Sequence, residues 1–284
     1  MRSQHPGAAS PDPLPAEVEL AIEVAHRAGD LLREGVRGRR TISRKGWHDV
    51  GTDREVAAER LIMARLRHRF PDDARFGEET GRGGPDGAHR TWFVDPLDGT
   101  INYASGIPFW CVSVALAIGG AVVVGVIHDP LRAETVVATR GGGARIWPHG
   151  GALRIRRPAR VADAVVSVDP GSESDAEAEV RIARLRSLVR AQRTLGSTAL
   201  SLSYVALGRL DGVLQVRGLQ VMDIAAAGLI VLEAGGRVTD ADGRRWLEVG
   251  DPEHGRGVAA GGPAVHALLV ASARAGQAGA SSSK

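Results

Sequence analysis

Two carboxylates, Asp95 and Asp98, stand three residues apart at the end of an apolar segment of the chain. Pro96 lies between them, and a Gly99-Thr100 step that can open a helix follows at once. Carboxylate oxygens on a stiff turn suit hard cations such as Mg²⁺. The backbone N–H groups at the start of a helix favour an anion. The segment therefore predicts a site where metal ions and a phosphate group meet.

Two further acids stand where apolar elements end, Glu78 after Phe76-Gly77 and Asp223 at the head of an apolar helix. Each acid alone has an ordinary explanation: Asp223 as a helix N-cap, Glu78 as a loop carboxylate and Asp98 as a turn residue. Gathered in one cleft with Asp95, they would repel one another unless cations neutralise them. The nine histidines are scattered and there is one cysteine, so the donor set favours Mg²⁺ or Mn²⁺ over Zn²⁺.

The elements that must position these acids begin with two helices, predicted over 17–33 and 53–70 from apolar residues at helical spacing. The extended connection between the helices carries Lys45, Asp49 and Thr52. Apolar, β-branched runs bounded by turn residues then predict a series of strands. These strands are expected at 91–95, 109–118, 121–128 and 134–139, with shorter candidates at 144–146 and 152–156.

The nearly uncharged run 111–127 is long enough to be compared with a membrane span. Gly119-Gly120 divides the run and both halves are β-branched, so a buried hairpin with a glycine turn is the better prediction. Strands and helices alternate in the second half of the chain, which indicates an α/β arrangement. Strands are expected there at 164–168, 212–216 and 258–260, and helices at 174–191, 197–207, 223–233 and 263–273.

This order of elements predicts two subdomains between two disordered tails in the chain of 284 residues. The tails are 1–15 and 275–284; an N-terminal α+β subdomain over 16–150 holds the metal site, and a C-terminal α/β subdomain over 151–274 completes it. The N-terminal tail lacks the apolar core of a signal peptide. The single cysteine, Cys111, excludes a disulfide framework within the chain, which is compatible with a reducing compartment. A cytoplasmic protein is the resulting prediction.

The charge of the chain also narrows the classes of partner. A formal charge of +3 comes from 36 basic and 33 acidic residues, which is a mild bias. The basic clusters at 37–40 and 154–157 lack interleaved aromatic residues, so solvated surface is the better interpretation. A small-molecule partner is therefore favoured over nucleic acid or membrane.

Three motifs in order carry a resemblance to a known family: Gly77-Glu78-Glu79, then Asp95-Pro-Leu-Asp98-Gly-Thr100, then Asp223 to Gly228 with Glu233-Ala-Gly-Gly236. They resemble the motifs of the inositol monophosphatase family. Members of this family are Mg²⁺-dependent, lithium-sensitive sugar-phosphate phosphatases. The match runs from about residue 17 to residue 272. The resemblance implies a layered αβαβα fold, mixed between α+β and α/β, and a site for two to three Mg²⁺ ions.

The resemblance also implies a role for each matching residue. Glu78, Asp95 and the Leu97 carbonyl would hold one ion, and Asp95, Asp98 and Asp223 a second. Glu78 would also border a weaker third ion. The backbone amides of Gly99 and Thr100 would receive the phosphate, while Thr100 and Asp53 would orient and deprotonate the attacking water. Glu79 is interpreted as supporting or solvated rather than catalytic.

The sequence departs from the family pattern around the substrate pocket. Met222 stands where the family usually has a tryptophan, and a glutamate that would meet substrate hydroxyls is replaced by Gln215 or Val216, depending on alignment. Ser197 and Thr198 are expected to face the leaving group with Asp98 and Gln215, although capping of a helix explains the Ser-Thr pair equally well. The identity of the leaving group is therefore open.

The resulting function hypothesis is a Mg²⁺-dependent phosphomonoesterase acting on inositol monophosphate or a related sugar or cyclitol phosphate. Alternatives within the class are histidinol-phosphate phosphatase, 3′(2′),5′-bisphosphate nucleotidase and fructose-1,6-bisphosphatase. The alternative from another class is a catalytically silent homologue that acts as a regulatory module. A homodimer is compatible with the sequence, which does not choose an oligomeric state.

Overall fold

The computed structural model describes residues 14–37, 42–44, 50–171, 182–247, 249 and 256–274. Most of the two predicted tails, together with Lys45 and Asp49 of the predicted connection, therefore lie outside the described residues. Helix α1 begins at Pro15, so the last residue assigned to the N-terminal tail is already helical. No helix among the described residues is long and apolar enough to cross a membrane.

Helices α1, Pro15–Arg37, and α2, Asp53–Arg69, form one outer layer of the molecule. Between them, strands β1, Ile42–Arg44, and β2, Val50–Thr52, pair as an antiparallel ribbon. The two helices bury apolar side chains such as Ile22, Leu32 and Ile62 against one face of a large sheet. Both helices were predicted, although α1 extends beyond both ends of the expected range.

The large sheet has seven strands in the order β4-β3-β5-β6-β7-β8-β9. The pairing of β3 with β5 is parallel and the other pairings are antiparallel. A short helix, α3, Thr100–Ser105, follows β5 directly. The strands are β3 Ala74–Gly77, β4 Gly81–Gly83, β5 Arg90–Asp98, β6 Cys111–Ile118, β7 Ala121–Asp129, β8 Glu134–Thr139 and β9 Gly143–Trp147.

Strand β6 shows why this sheet lies between two helical layers. Val112, Val114 and Leu116 pack toward α1 and α2, whereas Cys111 and Ala115 belong to the core on the opposite face. Successive side chains of a strand point to opposite faces, so a continuous apolar run is buried on both sides. The predicted hairpin is confirmed: β6 and β7 pair antiparallel across a glycine turn.

The second sheet has five strands in the order β11-β10-β12-β14-β13. Helices α4 and α5 pack between the two sheets, and α6 covers the outer face of the second sheet. The five layers confirm the predicted αβαβα arrangement. The elements are β10 Val165–Asp169, β11 Ala191–Arg193, α4 Thr198–Ala206, β12 Gly212–Leu219, α5 Val221–Glu233, β13 Arg237–Thr239, β14 Arg256–Gly261 and α6 Pro263–Arg274.

Two predicted elements are wrong in detail. In the range 174–191, where a helix is expected, the described residues form a helix only at 182–185. Strand β11 begins at Ala191. The strand expected at 152–156 is reduced to an isolated bridge between Ala152 and Arg145. A charged, helix-favouring composition does not reveal a short parallel strand such as β11, because β11 depends on its pairing with β10.

A buried histidine couples α1 to the first sheet. The Thr135 hydroxyl lies 3.0 Å from Nδ1 of His128 and 2.7 Å from Nε2 of His26. Gly29 permits the approach of α1, because a Cβ at that position would stand 2.7 Å from the His128 ring. Burial, and after it the charge of the neighbouring His26, lowers the pKa of His128 to about 3.

This histidine predicts a loss of stability in acid. Between the ordinary pKa of about 6.5 and the folded value, the unfolded chain binds more protons, so the free energy of unfolding falls as pH falls. Going from pH 7 to pH 5, His128 should remove about 2 kcal/mol. Urea unfolding of wild type and His128→Gln at both pH values isolates this contribution. His68→Gln, at an exposed histidine, is the control. If the stability of His128→Gln depended on pH as strongly as that of the wild type, the loss of stability in acid could not be assigned to His128.

Candidate active site

One cleft of about 480 Å³ contains most of the residues predicted to act together. It lies where the carboxyl ends of β5, β10 and β12 approach the beginnings of α3, α4 and α5. Of the predicted site residues, Asp53 and Ser197 are not in its lining. The lining includes Glu78, Asp95, Leu97, Asp98, Gly99, Thr100, Thr198, Gln215 and Asp223.

A slip in strand pairing directs the two aspartates of β5 into this cleft. Asp95 pairs with Ser113 of β6 and Asp98 pairs with Cys111, so β5 has one extra residue between them. Residues three apart on a regular strand face opposite sides, and the extra residue of a bulge re-aims the chain. Pro96 is tolerated at this position because a bulge leaves a backbone N–H without a ladder partner.

The backbone after Asp98 turns sharply into α3. Gly99 has φ 101°, a left-handed conformation, and a Cβ there would stand 3.1 Å from the Phe109 carbonyl oxygen. The left-handed conformation therefore favours glycine at this position, and the space for a side chain is tight. The turn places Thr100 at the first residue of α3, beside the aspartates.

Asp98 is held by the beginning of α4, which comes from the other half of the chain. The N–H of Ala199 donates to its carboxylate at 2.8 Å, the N–H of Thr198 donates at 3.3 Å, and the Ser197 hydroxyl also donates to it. The positive end of a helix stabilises such an anion. Ser197 is buried and is the N-cap of α4, as the capping interpretation expected.

The hydroxyl of Thr100 meets a carboxylate that the motifs did not identify. It lies 3.0 Å from Oε1 of Glu55 and 3.0 Å from the Leu97 carbonyl oxygen. Glu55 is buried, and its Oε2 accepts a hydrogen bond from the N–H of Thr52 in a capping box at the start of α2. Asp53 is exposed at the first residue of α2. The pairing of Thr100 with Asp53 therefore stays a prediction from the motif, whereas the Thr100 hydroxyl donates a hydrogen bond to Glu55.

Glu55 also approaches the acids of the Gly77-Glu78-Glu79 motif. One carboxylate oxygen each of Glu55, Glu78 and Glu79 lies within 4.8 Å of the other two, close enough to share a cation. Glu79, expected to be supporting or solvated, belongs to this group. The Thr-x-x-Glu spacing of a capping box was the sequence signal that could have identified Glu55.

A second buried glutamate of α2 shapes the turn that carries Glu78. Glu59 accepts hydrogen bonds from the backbone N–H groups of Glu79 and Thr80, both at 2.7 Å, and from the Thr80 hydroxyl at 2.5 Å. A Cβ on Gly77 would collide with the Glu59 carboxylate, so the motif glycine is needed for this approach. Glu59 positions Glu78, and nothing in its local sequence indicated that role.

The acids of the cleft raise one another's proton affinity. Burial raises the pKa of Asp95 well above its usual range, and the charges of Glu78, Asp98 and Asp223 raise it further. Burial raises the pKa of Asp223 to about 7, against the hydrogen bond from the Gln220 N–H. Such a group of oxygen donors fits Mg²⁺ or Mn²⁺, because a cation removes the repulsion without protonating the carboxylates.

The structure separates the two residues considered for substrate contact on β12. Gln215 lines the cleft, whereas Val216 packs against the core under α6. Both ends of the Gln215 amide are engaged: Oε1 accepts from the Thr198 hydroxyl, and Nε2 donates to the Arg217 carbonyl at 3.3 Å. Asp169 pairs with Gln215 in register on β10 and lines the same cleft, although no sequence motif singled it out.

The chain matches the model of a known family, described as the inositol monophosphatase family, over residues 15–278. The chain belongs to the inositol monophosphatase family. Its match covers the two described sheets and the helices that form the cleft. Met222, in the place where the family usually has a tryptophan, is almost fully buried in the core at the start of α5, so the substitution is accommodated by packing.

Relatives in this family carry two kinds of name. Inositol monophosphatase 2 of Solanum lycopersicum is 38% identical over 81% of this chain and 89% of its own. The Nus factor SuhB of Pasteurella multocida is 35% identical over 80% of this chain and 85% of its own. The solved structure of extragenic suppressor protein suhB from Bartonella henselae superposes with a TM-score of 0.83 at 30% identity, covering 92% of this chain and 99% of that one.

The charge cluster predicts that metal controls stability. Without divalent cations, Asp95→Asn should raise the unfolding temperature by a few degrees, because it removes one of the repelling charges. Saturating Mg²⁺ should raise the unfolding temperature of the wild type and have much less effect on Asp95→Asn. Glu34→Gln, at an exposed position of α1, is the control. A wild-type unfolding temperature that Mg²⁺ leaves unchanged would contradict a preformed cation site.

Proposed function

We propose that this protein is a Mg²⁺-dependent phosphomonoesterase that hydrolyses inositol monophosphate or a related sugar or cyclitol phosphate. The observation that carries the proposal is the gathering of Glu78, Asp95, Asp98 and Asp223 in one cleft beside the Gly99-Thr100 turn. Membership of the inositol monophosphatase family supports a phosphatase activity. The residues of the cleft are those that such a reaction needs: cation ligands, an anion-binding turn and a proton acceptor.

The carboxylates divide into overlapping ligand sets. In the proposal, Glu78, Asp95 and the Leu97 carbonyl hold one ion, while Asp95, Asp98 and Asp223 hold another. Glu78 borders a third position, where Glu55 and Glu79 also approach. When bound there, Mg²⁺ or Mn²⁺ would activate the attacking water and neutralise charge on the phosphoryl oxygens.

The protein's own groups position the phosphate and accept the proton. The backbone amides of Gly99 and Thr100 at the start of α3 are placed to donate to a phosphate oxygen. Thr100 Oγ1 can accept a hydrogen bond from the attacking water while it donates its own proton toward Glu55 Oε1, 3.0 Å away. Glu55 is buried against the N-cap of α2, so its carboxylate stays aimed at Thr100.

This arrangement predicts a difference between two neighbouring acids of α2. Glu55→Gln should lower kcat by about 10²–10⁴, because it removes the proton acceptor beside Thr100. Asp53→Asn, the matched control on the same turn of helix, should change kcat much less. Steady-state phosphate release with saturating Mg²⁺ measures both. The reverse order of effects would assign the proton to Asp53, as the family motif suggests.

The side of the cleft formed by Asp169 and Gln215 is proposed to contact the leaving group. Asp169 Oδ1 accepts the N–H of Gly171 at 2.8 Å, and no described residue donates to its Oδ2. The Gln215 amide is already engaged by Thr198 and Arg217. Asp169 therefore supplies the acceptor for substrate hydroxyls that the replaced glutamate would have supplied, which favours a leaving group rich in hydroxyls.

A panel of phosphate esters tests the function and its specificity together. We expect Mg²⁺-dependent phosphate release from inositol 1-phosphate to exceed that from histidinol phosphate, fructose 1,6-bisphosphate, 3′-phosphoadenosine 5′-phosphate and p-nitrophenyl phosphate. Asp169→Asn should raise KM for inositol 1-phosphate about tenfold, and leave p-nitrophenyl phosphate unaffected, because a lost charged hydrogen bond costs about 1.5–3 kcal/mol. Glu34→Gln, at an exposed acid of α1 outside the cleft, is the control.

The outcomes of this panel separate the alternatives. Preferential hydrolysis of another ester would select one of the other phosphatase activities. Hydrolysis of no ester with Mg²⁺ present would contradict the enzyme proposal and favour the regulatory homologue, a role consistent with the relatives named Nus factor. Lithium inhibition, a homodimer and a cytoplasmic location stay predictions from the family resemblance.

A further inference from the structure

A second concave surface lies on the other side of the turn that carries Glu78. It is a cleft of about 620 Å³ between the outer face of α2 and the β3–β4 hairpin, and we name it the arginine cleft. Its lining shares no residue with the active-site cleft. The basic side chains in its lining are Arg60, Arg67, His68, Arg75 and Arg82.

The positive charge of the arginine cleft is largely uncompensated. None of its lining residues is acidic. Within the described part of the chain, no carboxylate forms a salt bridge with Arg60 or Arg67. Arg82 lies 3.6 Å from Asp86, but both side chains are mostly exposed, and such pairs contribute little. Arginine stays charged at any physiological pH, so the cleft has a permanent preference for anions.

One arginine of the cleft is held rigidly by the backbone. Arg75 is 7% exposed, and its Nη1 donates to the carbonyl oxygens of Asp73 at 2.8 Å and Phe70 at 3.4 Å. Gly84, with φ +93°, lies against this guanidinium, because a Cβ there would stand 3.2 Å from Nη2 of Arg75. A guanidinium fixed in this way loses little conformational entropy when it binds an anion.

Two exposed arginines of the cleft lie on one stripe of α2. Arg60 and Arg67 are seven residues apart, which is two helical turns, so they flank Met63 and Ala64 on the same face. One planar guanidinium group can donate two hydrogen bonds to the oxygens of a phosphate group. Several guanidinium groups around one cavity can therefore surround a ligand with more than one phosphate. The volume falls within the range of small-molecule sites, whereas a nucleic acid needs an extended surface.

We propose that the arginine cleft is a second ligand site that binds a small molecule carrying a diphosphate or a similar cluster of phosphate groups. The site is separate from the proposed phosphatase centre and uses no metal ligand. The Thr80 side of the cleft continues into the turn held by Glu59, two residues after Glu78. The two sites therefore share one turn without sharing a ligand-binding residue.

Isothermal titration with inorganic pyrophosphate tests the proposal on the full chain. The titration is run in EDTA at physiological ionic strength, where the unneutralised carboxylates of the active site repel phosphate. We expect measurable binding to the wild type, tighter than that of orthophosphate. Arg60→Gln/Arg67→Gln should weaken it at least about tenfold, because charge-assisted hydrogen bonds are lost.

The matched control is Arg184→Gln/Arg186→Gln, two exposed arginines outside the cleft that should leave binding unchanged. Arg82→Gln, on the β3–β4 hairpin, changes the cleft independently of α2. An unchanged unfolding temperature shows that each variant is folded. No binding by the wild type, or equal weakening in the control, overturns the proposal. Tighter binding of a single-stranded RNA oligonucleotide than of pyrophosphate overturns the proposal that the ligand is a small molecule. Phosphatase activity is not measured, so failure of the proposed function leaves this test intact.

Discussion

The repulsion among carboxylates crowded into one cleft is the constraint on which the rest of the site depends. Each aspartate receives a separate donor from the chain: the Leu97 N–H for Asp95, the start of α4 for Asp98 and the Gln220 N–H for Asp223. These donors orient one oxygen of Asp95 and of Asp223, and both oxygens of Asp98. Burial, together with the charges that these donors do not cancel, keeps the pKa values of Asp95 and Asp223 raised, and cations therefore fit the site.

The same constraint joins the two halves of the molecule. Asp98 ends a strand of the first sheet, and the N–H groups that hold it belong to a helix that follows strand β11 of the second sheet. The apolar layer formed by α4 and α5 brings these elements together, since it packs against both sheets. Burial of that layer supplies the stability that holds the repelling acids at close distance.

Helix α2 organises two clefts of opposite charge. Glu55 and Glu59 are one turn apart and reach Thr100 and the Glu78 turn, so this face of the helix sets both the proton partner and a metal ligand. Arg60 and Arg67 project from another face into the arginine cleft. The helix thus separates an acidic surface suited to cations from a basic surface suited to anions.

The sequence by itself determined the buried hairpin and the acids that meet in the cleft, because periodicity and motif spacing are local properties of the chain, and the family resemblance of its motifs implied the layered fold. Its errors lay where the outcome depends on distant segments. The tertiary structure alone decided that Thr100 meets Glu55, that Ser197 anchors Asp98, and that Asp169 shares a wall with Gln215. These contacts depend on where a helix begins and on how two strands align, and a shift of one residue in either would turn each side chain to another face.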